Sequence, residues 1–174
     1  MFKLISRLAV LALMLTSSVS ASQRSEWIKV APIGSGFSVM MPAKPEEQIQ
    51  SGDELTTHSF GVTTDNGLYI VAYGDFAPSI RLNADEELIA TRDRFMKRLD
   101  AKLISTKNIS FEDRQGIEFT GENYQASFKS RVFIFGNRVH QIAVAVFNGK
   151  NDTENADRFF ASFEFIKAKT QLKP

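Results

Sequence analysis

The chain has 174 residues, 43% hydrophobic and 24% charged, with a formal charge of +1 and no cysteine. That composition excludes disordered and collagen-like chains, and the length fits one domain. The absence of cysteine excludes disulfides, thiolate metal sites, iron–sulfur clusters, a cysteine nucleophile and a lipid anchor on an N-terminal cysteine, while the near-zero charge without a basic stripe argues against a dedicated nucleic-acid binder.

Residues 1–21 read as a secretory signal peptide. Lys3 and Arg7 form a positive start, residues 8–15 are an unbroken apolar run, and Val19-Ser20-Ala21 supplies small residues for cleavage between Ala21 and Ser22. The run is too short to span a bilayer, which takes roughly 20 apolar residues. No transmembrane anchor is therefore expected after cleavage. Loss of the two basic residues leaves 19 basic against 20 acidic, a net charge of −1 over 153 residues. A chain of that length can bury a core without staples. Its 15 phenylalanines suit that demand, since each buried aromatic removes a large area from water.

Along the mature chain, Trp27-Ile28-Lys29-Val30 is a short apolar segment and Gly34-Ser35-Gly36 a turn. Residues 37–41 read as a strand stopped by Pro42. Residues 42–53, with two prolines and several charges, read as loop. Residues 55–63 and 68–76 form a hairpin around Asp65-Asn66-Gly67, because Asn-Gly favours tight hairpin turns. The period then changes. Asn83 is a candidate N-cap with Glu86 three residues on, acids follow at Asp85 and Glu87, and Arg94, Lys97 and Arg98 lie near the far end. Residues 84–100 are read as one long helix whose apolar face carries Leu88, Phe95 and Leu99, with Arg92 on the same face, joined by Ile89 and Met96.

The second half reads as a meander. Residues 102–111 are a strand, Arg114-Gln115-Gly116 a turn, residues 117–120 a strand, and Gly121-Glu122-Asn123 a turn or a bulge. Residues 125–135 and 138–147 pair through Gly136-Asn137, which sets Phe135 opposite Arg138 and Phe133 opposite His140. A second helix is read over residues 152–163, anchored by Phe159, Phe160 and Phe163 with Ala156, and a polar tail starts at Lys167. Strands and helices do not alternate strictly, which disfavours a doubly wound parallel sheet. The expected fold is α+β: a single domain over residues 22–174, with a largely antiparallel sheet, a central long helix and a C-terminal helix packed on it.

This order resembles the PsbP-like superfamily, named for an extrinsic protein of photosystem II. The resemblance rests on Phe37-Ser38-Val39-Met40-Met41-Pro42, a mid-chain helix, Gln115-Gly116-Ile117-Glu118, the turn at Gly136-Asn137 and Phe159-Phe160-Ala161-Ser162-Phe163, and it spans residues 27–166. It implies an antiparallel sheet with helices on its faces, in a bacterial exported member. Proteins of that superfamily mostly act as binding or assembly modules, and the resemblance carries over no catalytic residue.

The candidate chemistry is sparse. The two histidines, His58 and His140, both fall in strands; a metal site would have to join them to Asp75 or Glu118, whereas zinc sites take three or four ligands at close range. Gly34-Ser35-Gly36 is neither a nucleophile elbow nor a phosphate loop, since a strand and not a helix follows it. Glu46-Glu47 and Asp85-Glu86-Glu87 read as a solvated loop and a helix start. Asn108 and Asn151 match the glycosylation pattern, without an indication of a eukaryotic source. Arg92, Arg94, Lys97, Arg98 and Lys102 form one basic concentration; Arg94 and Arg98 share a helix face that Lys102 would extend, able to meet an acidic partner or lipid head groups, or simply solvated. The phenylalanines serve a core or line an apolar cavity.

The expectation is a non-enzymatic binding or assembly module, periplasmic or secreted by a bacterium, with a protein partner. The alternative is a carrier of a small hydrophobic, lipid-like ligand. No catalytic residue, metal ligand, cofactor or nucleic acid is expected. A sheet face left bare is the first place to look for binding.

Overall fold

Two-residue-period alternation runs through most of this chain, and the described residues form ten strands and two helices. The computed structural model describes residues 26–166. The elements, in order, are β1 (Ile28–Val30), β2 (Phe37–Met41), β3 (Glu46–Ser51), β4 (Leu55–Thr63), β5 (Gly67–Phe76), α1 (Ala84–Arg98), β6 (Lys102–Phe111), β7 (Arg114–Glu122), β8 (Ala126–Phe135), β9 (Arg138–Phe147), α2 (Thr153–Ala161) and β10 (Glu164–Phe165). A seven-stranded antiparallel sheet runs β3-β4-β5-β9-β8-β7-β6, and a three-stranded antiparallel sheet runs β1-β2-β10. The fold class is α+β.

The main core lies between the two sheets. Tyr69, Val71 and Tyr73 of β5 and Ile142 and Val144 of β9 meet Trp27, Phe37, Met41 and the phenylalanines of α2 and β10. Edge-on aromatic pairs bind the layer, among them Trp27–Tyr69 at 5.9 Å and Tyr69–Phe159 at 5.3 Å between ring centroids. Full burial of such a ring stabilises by roughly 1.5–3 kcal/mol, so this layer is the main source of stability. On the opposite face, α1 lies on β7 and β8, with Leu88 and Met96 against Ile117, Phe119 and Val132. Asn83 caps α1 by accepting from the Glu86 amide, as its position predicts.

The hairpins follow the local signals. Phe135 pairs with Arg138 and Phe133 with His140, the register expected from a two-residue turn, and Gly136 takes a positive φ of 58°. The 55–76 hairpin also forms, but its glycine serves another purpose. Gly67 has no positive φ; it begins β5, where a Cβ would stand 2.3 Å from the Ala145 carbonyl oxygen. Thr64 shapes the turn instead, its hydroxyl accepting from the Asn66 and Gly67 amides.

Several expectations need correction. Residues 42–53 are not all loop, for β3 pairs residue by residue with β4. All six of its residues are exposed, so it carries no burial pattern to read. The turn expected at Arg114-Gln115-Gly116 lies at Glu112 and Asp113, whose φ values of 46° and 62° match a primed hairpin turn without glycine, and residues 114–116 belong to β7. Gly121 and Glu122 are also in β7; the irregularity sits opposite, where the β6 register slips between Leu103 and Ser105. Helix α1 stops at Arg98, and Lys102 is in β6, so it does not extend the arginine face. Ile89 is exposed, and Thr91 is buried on the inner face of α1. The second helix is shorter than read and is followed by β10, which completes a small second sheet that local pattern does not announce. The proposed leader, its cleavage point at Ala21 and Ser22, and the tail from residue 167 lie outside the described residues.

Candidate groove between the long helix and the sheet edge

Helix α1 covers only part of its sheet face. A helix with side chains is about 10–12 Å across and neighbouring strands are about 4.8 Å apart, so one helix shields two to three strands. With α1 on β7 and β8, the same face of β3, β4 and β5 stays open. Alternation fixes what shows there. From β4 come Thr57, Ser59, Gly61 and Thr63; from β5 come Leu68, Ile70 and Ala72; from β3 come Glu46, Gln48 and Gln50; β9 adds Gln141. Phe95, Arg98 and Leu99 form the wall on the helix side. The groove has a volume of about 610 Å3, and a smaller recess of about 130 Å3 continues it past Gly74, Leu55 and Val139 toward Thr91 and Arg94.

The β4 and β5 part of the floor is neutral, built largely of small side chains and mostly half-buried, while the β3 side is exposed. Among the described glycines, Gly61 stands apart, because it needs no positive φ and an added Cβ would meet nothing within 4 Å. Glycine in a strand interior weakens the strand, and close approach of a ligand or another backbone is one reason to find it there. Ser59 donates to the Gln48 carbonyl and Gln141 Nε2 to Ser130 Oγ, so Gln141 keeps its Oε1 as an acceptor.

The basic concentration on α1 divides across the helix. Arg92 turns to the β6 side, where its guanidinium donates to Thr106 Oγ1 at 3.2 Å and to Asp93. Arg94 and Arg98 turn to the groove. Arg94 is paired with Glu87, and Thr91 joins them, its hydroxyl donating to Glu87 at 3.0 Å. Arg98 is exposed and makes no ion pair among the described residues, so a single unneutralised guanidinium stands where groove and recess meet.

The two histidines are on the other face of the sheet. They share a row with Tyr73 between them, as β4 and β9 flank β5. His58 stacks on Tyr73 at 4.7 Å and 2° between rings, and its Nδ1 lies 3.2 Å from Glu47. His140 is 4% exposed, and its Nε2–H donates to the Ser35 carbonyl at 3.0 Å. Burial first, then the charges of Arg138 and Arg114, bring its pKa down to about 4 against the pull of the Ser35 bond. Asp75 is held by Arg138 through two bonds of 2.6 and 2.7 Å, and Glu118 by Arg131 and Lys107 at 2.7 and 2.9 Å. Burial would raise the Glu118 pKa, but the Lys107 and Arg131 hydrogen bonds outweigh it and hold the carboxyl below its ordinary value. These groups are therefore engaged in structural pairs. Among the described residues no three histidines or carboxylates gather as a metal cluster, and no helix is long and apolar enough to cross a membrane.

Sequence reading missed the groove's floor. The only signal it offered was the pairing of Arg94 with Arg98 on one helix face, and the alternation Thr57, Ser59, Gly61, Thr63 is visible only once β4 is known to have an open side.

No family model and no curated protein matches the chain. Among solved structures it is similar to cyanobacterial PsbP (CyanoP) from Synechocystis sp. PCC 6803, with a TM-score of 0.58 and 11% identity over 86% of this chain and 98% of that one. A protein from Bacteroides thetaiotaomicron matches at a TM-score of 0.35 and 17% identity, over 84% of this chain and 50% of that one. The fold is PsbP-like, as the resemblance in the sequence implies.

Proposed function

We propose that this chain is an exported, non-catalytic binding module, and that it holds a protein partner in the groove between α1 and the β3–β4–β5 half of the sheet. The observation that carries this reading is the uncovered half-sheet. A seven-stranded sheet with one face shielded over half its width presents a formed, concave surface with little in the described chain to occupy it. The PsbP-like fold supports an extrinsic or assembly role by likeness of fold, which is a weaker warrant than the site itself. The pattern of residues 1–21 supports export, and with it a mature protein in the periplasm or outside a bacterial cell.

Photo-cross-linking tests the reading. A benzoylphenylalanine placed at groove positions such as Ser59 or Gln50 of the full chain, expressed in its own host, should trap a discrete protein product. The same group at the fully exposed Ile33, in the turn before β2 on the histidine side of the sheet, should not. Equal products at all positions, or none in the groove, sink it. N-terminal sequencing of the exported protein checks the address, with Ser22 expected as the first residue.

A second reading is favoured by one observation. A volume of about 610 Å3 lies within the roughly 300–1,000 Å3 of small-molecule sites. A lipid-like ligand in the groove would appear as added mass when the natively purified protein is weighed intact.

A further inference from the structure

We infer that the groove takes an extended, acidic segment of a partner polypeptide, with a carboxylate of that segment set on the Arg98 guanidinium. This rests on the reading of the groove as a protein-docking site and specifies its chemistry.

Three observations converge. The first is charge. Arg94 is neutralised by Glu87, whereas Arg98, one turn further along the same wall, has no ion pair among the described residues. The opposite rim carries Glu46 at the start of β3. The groove is thus positive on its helix side and negative on its strand side. A segment lying in it gains from an acid facing α1 and a neutral or basic residue facing β3, and the fork of an arginine pairs with a carboxylate through two parallel bonds.

The second is the hydrogen-bonding inventory. Gln48, Gln50, Thr57, Ser59 and Gln141 put amides and hydroxyls on the floor. Gln48, Gln50 and Thr57 can donate and accept, while Ser59, whose hydroxyl already donates to the Gln48 carbonyl, and Gln141 Oε1 offer acceptors, a mixture that suits the peptide groups of an extended chain. A hydrocarbon chain in the same place would strip water from these groups and return nothing, so the floor favours a polypeptide over a lipid-like ligand. Leu68, Ile70 and Ala72 leave room for small apolar side chains between the polar contacts.

The third is Gly61. Neither a positive φ nor a crowded neighbour requires glycine there, unlike Gly67 or Gly116, where a Cβ would strike a carbonyl oxygen at 2.3 or 2.4 Å. It exposes bare backbone in mid-floor, where another main chain can approach.

The experiment uses the full chain with benzoylphenylalanine at Ser59, followed by mass-spectrometric sequencing of the trapped partner peptide. The peptide should carry Asp or Glu within a few residues of the cross-link. Arg98→Glu should cut the product by about tenfold, a loss worth one carboxylate pairing, while Lys97→Glu, on the exposed side of the same turn, should leave it unchanged. A product at Ser59 that Arg98→Glu does not alter, or a trapped peptide without an acid, overturns the inference and leaves the docking site standing. A lipid adduct at Ser59 overturns both. The absence of any product at Ser59 also removes both.

Discussion

At His140, burial and two arginines act in the same direction, and the consequence is a pH dependence of stability. The ring sits between Phe37 and Phe165, its Nδ1 has no hydrogen-bond partner among the described residues, and its pKa falls from 6.5 to about 4. Arg138 and Arg114 lower it and Asp75 raises it slightly. Between pH 6.5 and 4 the unfolded chain binds this proton while the folded chain does not. The contribution is therefore complete above pH 6.5 and is lost as pH falls toward 4, by roughly 3 kcal/mol in all. His140→Gln retains a donor for the Ser35 carbonyl but cannot titrate. Urea unfolding at pH 4.5 and 7.5 should show a smaller pH difference in the variant than in the parent, and equal differences would show that His140 is not the group responsible. Tyr69 is a second such residue. Fully buried, it donates its hydroxyl to Asp152, and burial followed by that carboxylate keeps the phenol protonated. Asp152 stands at the N-cap position of α2 without capping it, its oxygens engaged by Tyr69 and Asn155. Tyr69→Phe leaves a buried carboxylate short of a donor and should cost about 1–3 kcal/mol in denaturant unfolding. A neutral result would mean water replaces the phenol.

The elements divide by how local their causes are. The hairpin at Gly136 and the cap at Asn83 were readable because the deciding residues are neighbours in the chain. By contrast, β3 is ordered by backbone pairing to β4 across a loop, and its six exposed residues offer no face to recognise. The two-residue β10 exists because Phe165 pairs back to Phe37, far away in sequence. These two missed strands should answer mutation oppositely. Phe165 lies among Phe111, Phe133, Phe163 and His140, with the Arg114 guanidinium 3.7 Å from its ring centroid. Phe165→Ala should cost about 3–5 kcal/mol. Ile49, 59% exposed on β3, should tolerate Lys within about 0.5 kcal/mol. Comparable losses for the two would mean that β3 carries core contacts that its exposure does not reveal.

For the molecule as a whole, the composition and hairpin signals made the α+β class legible, and the same signals were silent on which half of the sheet α1 would cover. That choice depends on packing between Met96 and Phe119 or between Leu88 and Ile117, pairs separated by more than twenty residues. The groove is the complement of that choice, so its floor was legible only as strand residues and its wall only as two arginines one turn apart. The wall residues Phe95 and Leu99 pack against a core cluster, but Gln48, Ser59, Gly61 and Ile70 of the floor lie outside all of them, so occupation of that part of the groove can be separated from stability. Gly61→Trp tests that separation. The Cβ at position 61 meets open space, the backbone there needs no glycine, and an aromatic residue is favoured in a strand. The indole would stand on the floor among Ser59, Ile70 and Gln48 and fill the path a partner segment must follow. Denaturant unfolding should change by no more than about 0.5 kcal/mol, while the product trapped from benzoylphenylalanine at Gln50 should disappear. If the product persists in a folded Gly61→Trp protein, the partner lies elsewhere and the bare half-sheet is not its seat. If unfolding shifts by several kcal/mol, position 61 supports the fold in a way its open surroundings do not show.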